Sequence, residues 1–136
     1  MRLLAPIVVP LLGLLLNLAL TASALAQDAA VALEGTHDAG GTIRFTIAAG
    51  GGSLTALEIE GIAGGGCSWD TIDLKNWGGS IPFADGAFHA TNADGDSISG
   101  QFVDASRIEG TVAVSDPVKG CQTPPLRWVA VVQHGF

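Results

Sequence analysis

Basic residues are scarce in this chain: six lysines and arginines stand against thirteen acids. A domain with that balance is repelled by nucleic acid and by anionic membranes, so neither is expected as a partner. Tyrosine is absent, which leaves nothing to build the aromatic girdles of an outer-membrane barrel. Most of the strand-like runs also fall short of the roughly 9–11 residues that span a bilayer. Cysteine occurs only twice and never as C-x-x-C, the spacing that tunes reactive thiols. Zinc has no H-E-x-x-H and no cysteine–histidine pattern to bind, since His37, His89 and His134 are scattered. No G-x-S-x-G elbow and no phosphate-binding glycine loop occur. The carboxylates form no pattern that would raise one pKa. An enzyme is not expected, and no cofactor is implied.

The one long hydrophobic run lies at the start. Arg2 is followed by an apolar stretch over residues 3–20, broken only by Asn17, and then by Ala24-Leu25-Ala26. This is the layout of a secretory signal peptide, a helix removed on export. Pro6, Pro10 and Asn17 inside the run, with no basic cluster after it, speak against a retained anchor. Residue 27 is Gln rather than Cys and no twin arginine occurs, so the expected product is neither lipid-modified nor exported folded. The expected division is a signal peptide over residues 1–26 and a single domain over 27–136, periplasmic or extracellular, with no membrane attachment after cleavage. Five basic and thirteen acidic residues remain, a net charge of −8, and solubility is its simplest purpose.

Glycine is abundant where helix is absent. Eighteen glycines in 110 residues are about twice the usual share of roughly 7%, and no segment after Gln27 sustains a 3.6-residue apolar period. Period-two alternation recurs instead. Ile43, Phe45 and Ile47 share one face, as do Leu57 and Ile59, then Ile98, Gly100 and Phe102, then Ile108, Gly110, Val112 and Val114. Asp85-Gly86 between alternating runs signals a hairpin, and residues 92–96 (NADGD) signal another tight turn. Pro124-Pro125 precedes a last strand over 126–132, a placement that suits a sheet edge. Eight or nine short strands with closely spaced turns predict an all-β domain, an antiparallel β-sandwich or small barrel.

In an oxidising compartment Cys67 and Cys121 are most simply one disulfide, closing a 54-residue loop. Three further sites deserve weighing. Trp77, and Trp69 near it, could stack on sugar faces beside Asp and Asn, although burial is the commoner fate of tryptophan. Asn92, Asp94 and Asp96 resemble the start of a calcium loop, but Ser97 stands where that loop needs Gly and Val103 where it needs Glu. The remaining carboxylates could serve a hydrolase only by converging in space.

Gly86-Ala87-Phe88, Gly100-Gln101-Phe102, Gly110, Cys121 and Trp128-Val129-Ala130, with Gly41-Thr42-Ile43-Arg44-Phe45 and Cys67 before them, resemble the pattern of small exported bacterial β-sandwich proteins with one disulfide. The resemblance implies fold and not activity, since that group offers no catalytic residue to carry over. The combined expectation is an exported, non-enzymatic domain that binds a protein or an envelope or extracellular ligand. A glycan-binding module using Trp77 and Trp69, and a hydrolase of unrecognised type, are the alternatives.

Overall fold

The computed structural model describes residues 29–133. The expected signal peptide, His134 and Phe136 lie outside the described residues. Eleven strands follow one another: β1 (Val31–His37), β2 (Thr42–Ile47), β3 (Ser53–Gly64), β4 (Cys67–Asp73), β5 (Ile81–Ala84), β6 (Ala87–Thr91), β7 (Ser97–Phe102), β8 (Arg107–Ala113), β9 (Ser115–Asp116), β10 (Cys121–Gln122) and β11 (Leu126–Val132), with one 3₁₀ turn, Leu74–Trp77, between β4 and β5. The main sheet closes on itself through β2–β3 and β1–β11 pairing, so of the two expected forms the barrel is the one adopted. Every pairing is antiparallel.

Around the ring the order is β1, β2, β3, β5, β6, β7, β8, β11. The third position is divided unusually. β4 pairs with the distal half of β3, from Glu58↔Asp73 to Gly64↔Cys67. β5 then pairs with the proximal end of β3, at Leu54↔Ile81 and Ser53↔Pro82. The two strands therefore occupy one edge of β3 in succession, interrupted by the 3₁₀ turn. β11 is not an edge: it pairs with β1 on one side and β8 on the other, and Pro124 and Pro125 sit just before its first paired residue. A missing N–H does no harm there because no ladder bond is due.

Alternation explains the wall. Leu33, Ile43, Phe45, Ile59, Ile98, Ile108, Val112, Trp128 and Ala130 point inward and are at most 2% exposed. Glu34, Arg44, His89, Gln101 and Glu109 point outward and are exposed. This polarity, apolar within and polar without, is the inverse of a lipid-embedded barrel. On the outer wall Arg44 contacts Glu58 and lies 3.2 Å from Glu60. The hydrogen bond and charge of Glu58, then the charge of Glu60, hold the guanidinium pKa above its ordinary value. At the opposite end the Ser106 N–H and Oγ donate to Asp104 at 2.9 and 3.0 Å and lower its pKa. The β5–β6 turn has both central residues left-handed, Asp85 at φ 54° and Gly86 at φ 76°, the backbone that an Asp-Gly hairpin demands.

The interior is organised by one row of residues. Registers align Phe83, Phe88, Gly100, Gly110, Trp128 and His37 across six neighbouring strands. The Trp128 ring lies over the two glycines and stacks on Phe88, with centroids 6.0 Å apart and planes at 24°. Phe45 meets both rings edge-on, at 5.6 Å from Trp128 and 5.8 Å from Phe88. Phe83 extends the cluster to Phe102 at 6.0 Å. Such pairs add about 0.5–1.5 kcal/mol each beyond area burial. A Cβ at Gly110 would stand 1.8 Å from the Ser99 carbonyl oxygen and 2.6 Å from Trp128 Cζ2, and one at Gly100 would stand 2.7 Å from Cη2 and 2.6 Å from Phe88 Cε1. Glycine is needed here for space.

Gly110→Ala is expected to destabilise the domain by about 1–3 kcal/mol through overpacking, read as a fall in Tm of several degrees. Gly52→Ala, where an added Cβ meets nothing within 4 Å, is the control and should leave Tm nearly unchanged. Equal effects at both positions would contradict this account of the row.

Candidate functional site

Strand direction sorts the connections into two ends. One end carries three short turns, over residues 48–52, 85–86 and 103–106. The other carries the β1–β2 turn, the long β3–β4 hairpin, the 92–96 loop and the β9–β10 hairpin, and the 3₁₀ turn, which joins two strands running the same way along β3, is hydrogen-bonded to the 92–96 loop. Loops on a rigid wall are where binding surfaces concentrate, and this elaborated end is the candidate.

The β3–β4 hairpin caps the barrel mouth. β3 and β8 stand on opposite sides of the ring, yet the hairpin tip reaches the segment that follows β8. Cys67 is disulfide-bonded to Cys121, with Cα atoms 5.8 Å apart. A Cβ on Gly65 would collide with the Gln122 carbonyl, and one on Gly64 would come within 3.1 Å of Pro124 Cδ. Ile62 is buried under the cap and Trp69 packs against the core at half burial. The receiving segment is itself tied down: Thr123, 2% exposed, donates its N–H to Val114 O at 2.8 Å and accepts the Val114 N–H on Oγ1 at 3.1 Å.

A buried carboxylate holds the other side of the mouth. Asp96 is 5% exposed. It accepts from Asn76 Nδ2 at 3.1 Å, Asn92 Nδ2 at 3.2 Å, Ser115 N at 2.8 Å and Ser115 Oγ at 3.1 Å. Its carbonyl accepts the Trp77 indole N–H at 3.2 Å. Four donors saturate both carboxylate oxygens, which is how a buried charge is made tolerable. Asp96 thus joins three separate connections: the 3₁₀ turn, the β6–β7 loop and the start of β9.

These contacts bear on two of the alternatives that the sequence offers. The calcium reading of Asn92, Asp94 and Asp96 does not match the geometry. Asn92 Oδ1 accepts the backbone N–H groups of Asp94 and Asp96, each at 3.0 Å, and the Asp96 oxygens face donors. Among the described residues no group of three His, Cys, Asp or Glu side chains could hold a metal ion. Trp77, the residue on which the glycan-binding alternative rested, is 7% exposed and donates its indole N–H to the Asp96 carbonyl. Trp69 keeps part of its surface, and Trp128 is 1% exposed.

The two described histidines stay apart. His37 is buried, donating from Nε2 to Glu60 O at 2.7 Å and accepting the Ala39 N–H on Nδ1 at 3.2 Å, while His89 lies exposed on β6. Two shallow concavities of about 300 Å³ mark the outer wall, one beside Asp38, Glu109 and Arg127 and the other around Arg44. Asp38 Oδ2 accepts the Arg127 backbone N–H at 3.1 Å, a structural use.

The sequence reading missed the Asp96 junction. Its local signal was the N-x-D-x-D turn, but two of its partners, Asn76 and Ser115, are 20 and 19 residues away. Comparison with protein families, curated proteins and solved structures returned no match.

Asp96→Ala strands Asn76, Asn92 and Ser115 donors in a buried site and is expected to cost about 3 kcal/mol, measured by denaturant unfolding. Calcium and EDTA should both leave the Tm of the unaltered protein where it is; a rise of several degrees with calcium would overturn the structural assignment of this loop.

Proposed function

We propose that the protein is an exported, non-enzymatic module that binds another protein at the elaborated end of the barrel. One observation carries this reading: the longer and more elaborate connections are gathered at one end and braced there from two sides, by Cys67–Cys121 and by Asp96. Rigid presentation lowers the entropy lost on binding. The interior offers no alternative, since the aromatic cluster fills it. Export is supported by the signal-like residues 1–26 and by a disulfide, which persists in oxidising compartments. Among the described residues no helix is long and apolar enough to cross a membrane.

The glycan-binding alternative needs an open tryptophan face. With Trp77 and Trp128 buried, half-buried Trp69 is all that remains for it. The hydrolase alternative needs converging acids and bases, and the described carboxylates are distributed over the outer wall or engaged with backbone and amide donors.

A thermal-shift panel of unstructured peptides and oligosaccharides on the disulfide-bonded protein tests the reading. A ligand at 100 times its Kd adds about 2.7 kcal/mol. Peptides should raise Tm and oligosaccharides should not. A rise with oligosaccharides alone, or hydrolysis of any panel member, would overturn it. Replacing both cysteines by serine should lower stability by up to about 4 kcal/mol and weaken the peptide effect, because the cap is then released.

A further inference from the structure

We infer that the free edge of β4 takes up an extended, basic segment of a partner protein as an added antiparallel strand. This rests on the reading of the elaborated end as a protein-binding surface and names the place and the chemistry.

The closed barrel satisfies its strands on both sides, but β4 stands outside that closure. It pairs with β3 from Cys67 to Asp73, and among the described residues no strand pairs with its other edge. The 3₁₀ turn diverts the chain before β5, so the neighbouring β6 is met by β5 and not by β4. A row of backbone N–H and C=O groups is left open beside exposed Ser68, Asp70, Thr71 and Asp73. Natural sheets blunt such edges with proline, lysine or bulges that turn them away. Cys67–Asp73 holds no proline and no lysine.

Both ends of the edge are held. Cys67 is bonded to Cys121. Asp73 caps the 3₁₀ turn by accepting the Lys75 N–H at 3.0 Å, and that turn is anchored through Trp77 to Asp96. A strand pinned at both ends is already in the conformation that strand addition requires.

Charge selects the occupant. The edge carries Asp70 and Asp73 and no base. Asp70 makes no side-chain hydrogen bond or ion pair within the described residues, whereas the acids on the adjoining β3, Glu58 and Glu60, already have Arg44. Lysine or arginine at alternate positions of an incoming strand shares one face and would meet Asp70, while Asp73, three residues on, adds its charge from the other face. A second copy fits poorly: antiparallel self-pairing in the register with most overlap sets Asp70 directly against Asp70, and like charges opposite each other destabilise a ladder.

The test uses the disulfide-bonded protein and two eight-residue peptides, one alternating lysine with threonine and its glutamate counterpart, followed by amide NMR and hydrogen exchange. The expected result is binding of the lysine peptide only, with shifted and slower-exchanging amides confined to residues 68–73. Asp70→Lys should weaken it at least tenfold with an unchanged spectrum elsewhere. Thr71→Pro should abolish the protection, and Asp70→Lys carries the test if that variant does not fold. Equal binding of both peptides, or protection appearing at residues 92–96 or 116–121 instead of β4, would overturn the edge while leaving a binding end. Concentration-dependent β4 protection without peptide would show self-pairing and overturn the basic partner. No response here together with no peptide response in the thermal panel would overturn both readings.

Discussion

The Trp128 indole, lying across Gly110 and Gly100 to reach Phe88, is the contact on which the barrel depends. An eight-stranded ring is just wide enough for its own side chains to fill it. Here one large ring from β11 spans the width that two glycines leave free, and Phe45 and Phe83 complete the cluster. Among the described residues the buried indole N–H of Trp128 has no hydrogen-bond partner, a cost of about 1–3 kcal/mol. Bulk and shape outweigh it: a side chain of this size contributes comparable or larger free energy by burial, and stacking adds to that. Filling the interior this way also sends any binding function to the ends or the outside.

A second constraint follows at the mouth. β3 has twelve residues, too many for the ring alone, and its excess pairs with β4 to make a hairpin that crosses the opening. An apolar hairpin over an apolar mouth buries Ile62 and part of Trp69, but its backbone would be loosely held without a tether. Cys67–Cys121 supplies the tether on one side. On the other, Trp77 and Asn76 of the 3₁₀ turn are bonded to Asp96 of the β6–β7 loop. The disulfide and the buried carboxylate therefore brace the elaborated end from opposite sides.

Much of this was legible before any coordinates. Alternation in Thr42–Ile47, the Asp85-Gly86 turn and the glycine-spaced run from Ile98 to Val114 marked strands, faces and hairpins correctly, because each depends only on neighbours in the chain. The cysteine pair was legible because two lone cysteines have one pairing. The candidate sites were less so. Trp77 reads the same whether it faces sugar or core, and N-A-D-G-D reads the same whether its oxygens await a cation or backbone N–H groups. Each answer came from residues about twenty positions away.

The sequence by itself determined an all-β chain, its approximate strand count, the inward face of most strands and the identity of the covalent staple, since period-two patterning and cysteine count are local properties. It left sandwich and barrel open, because both bury the same alternating faces. Tertiary structure decided between them through β2–β3 and β1–β11 closure, buried Trp77, turned Asp96 into a junction and left one edge of β4 without a strand partner among the described residues. Those outcomes depend on which strands meet across the ring, and register between distant segments is set by the packing of Trp128 over Gly100 and Gly110, which no single stretch of the chain contains.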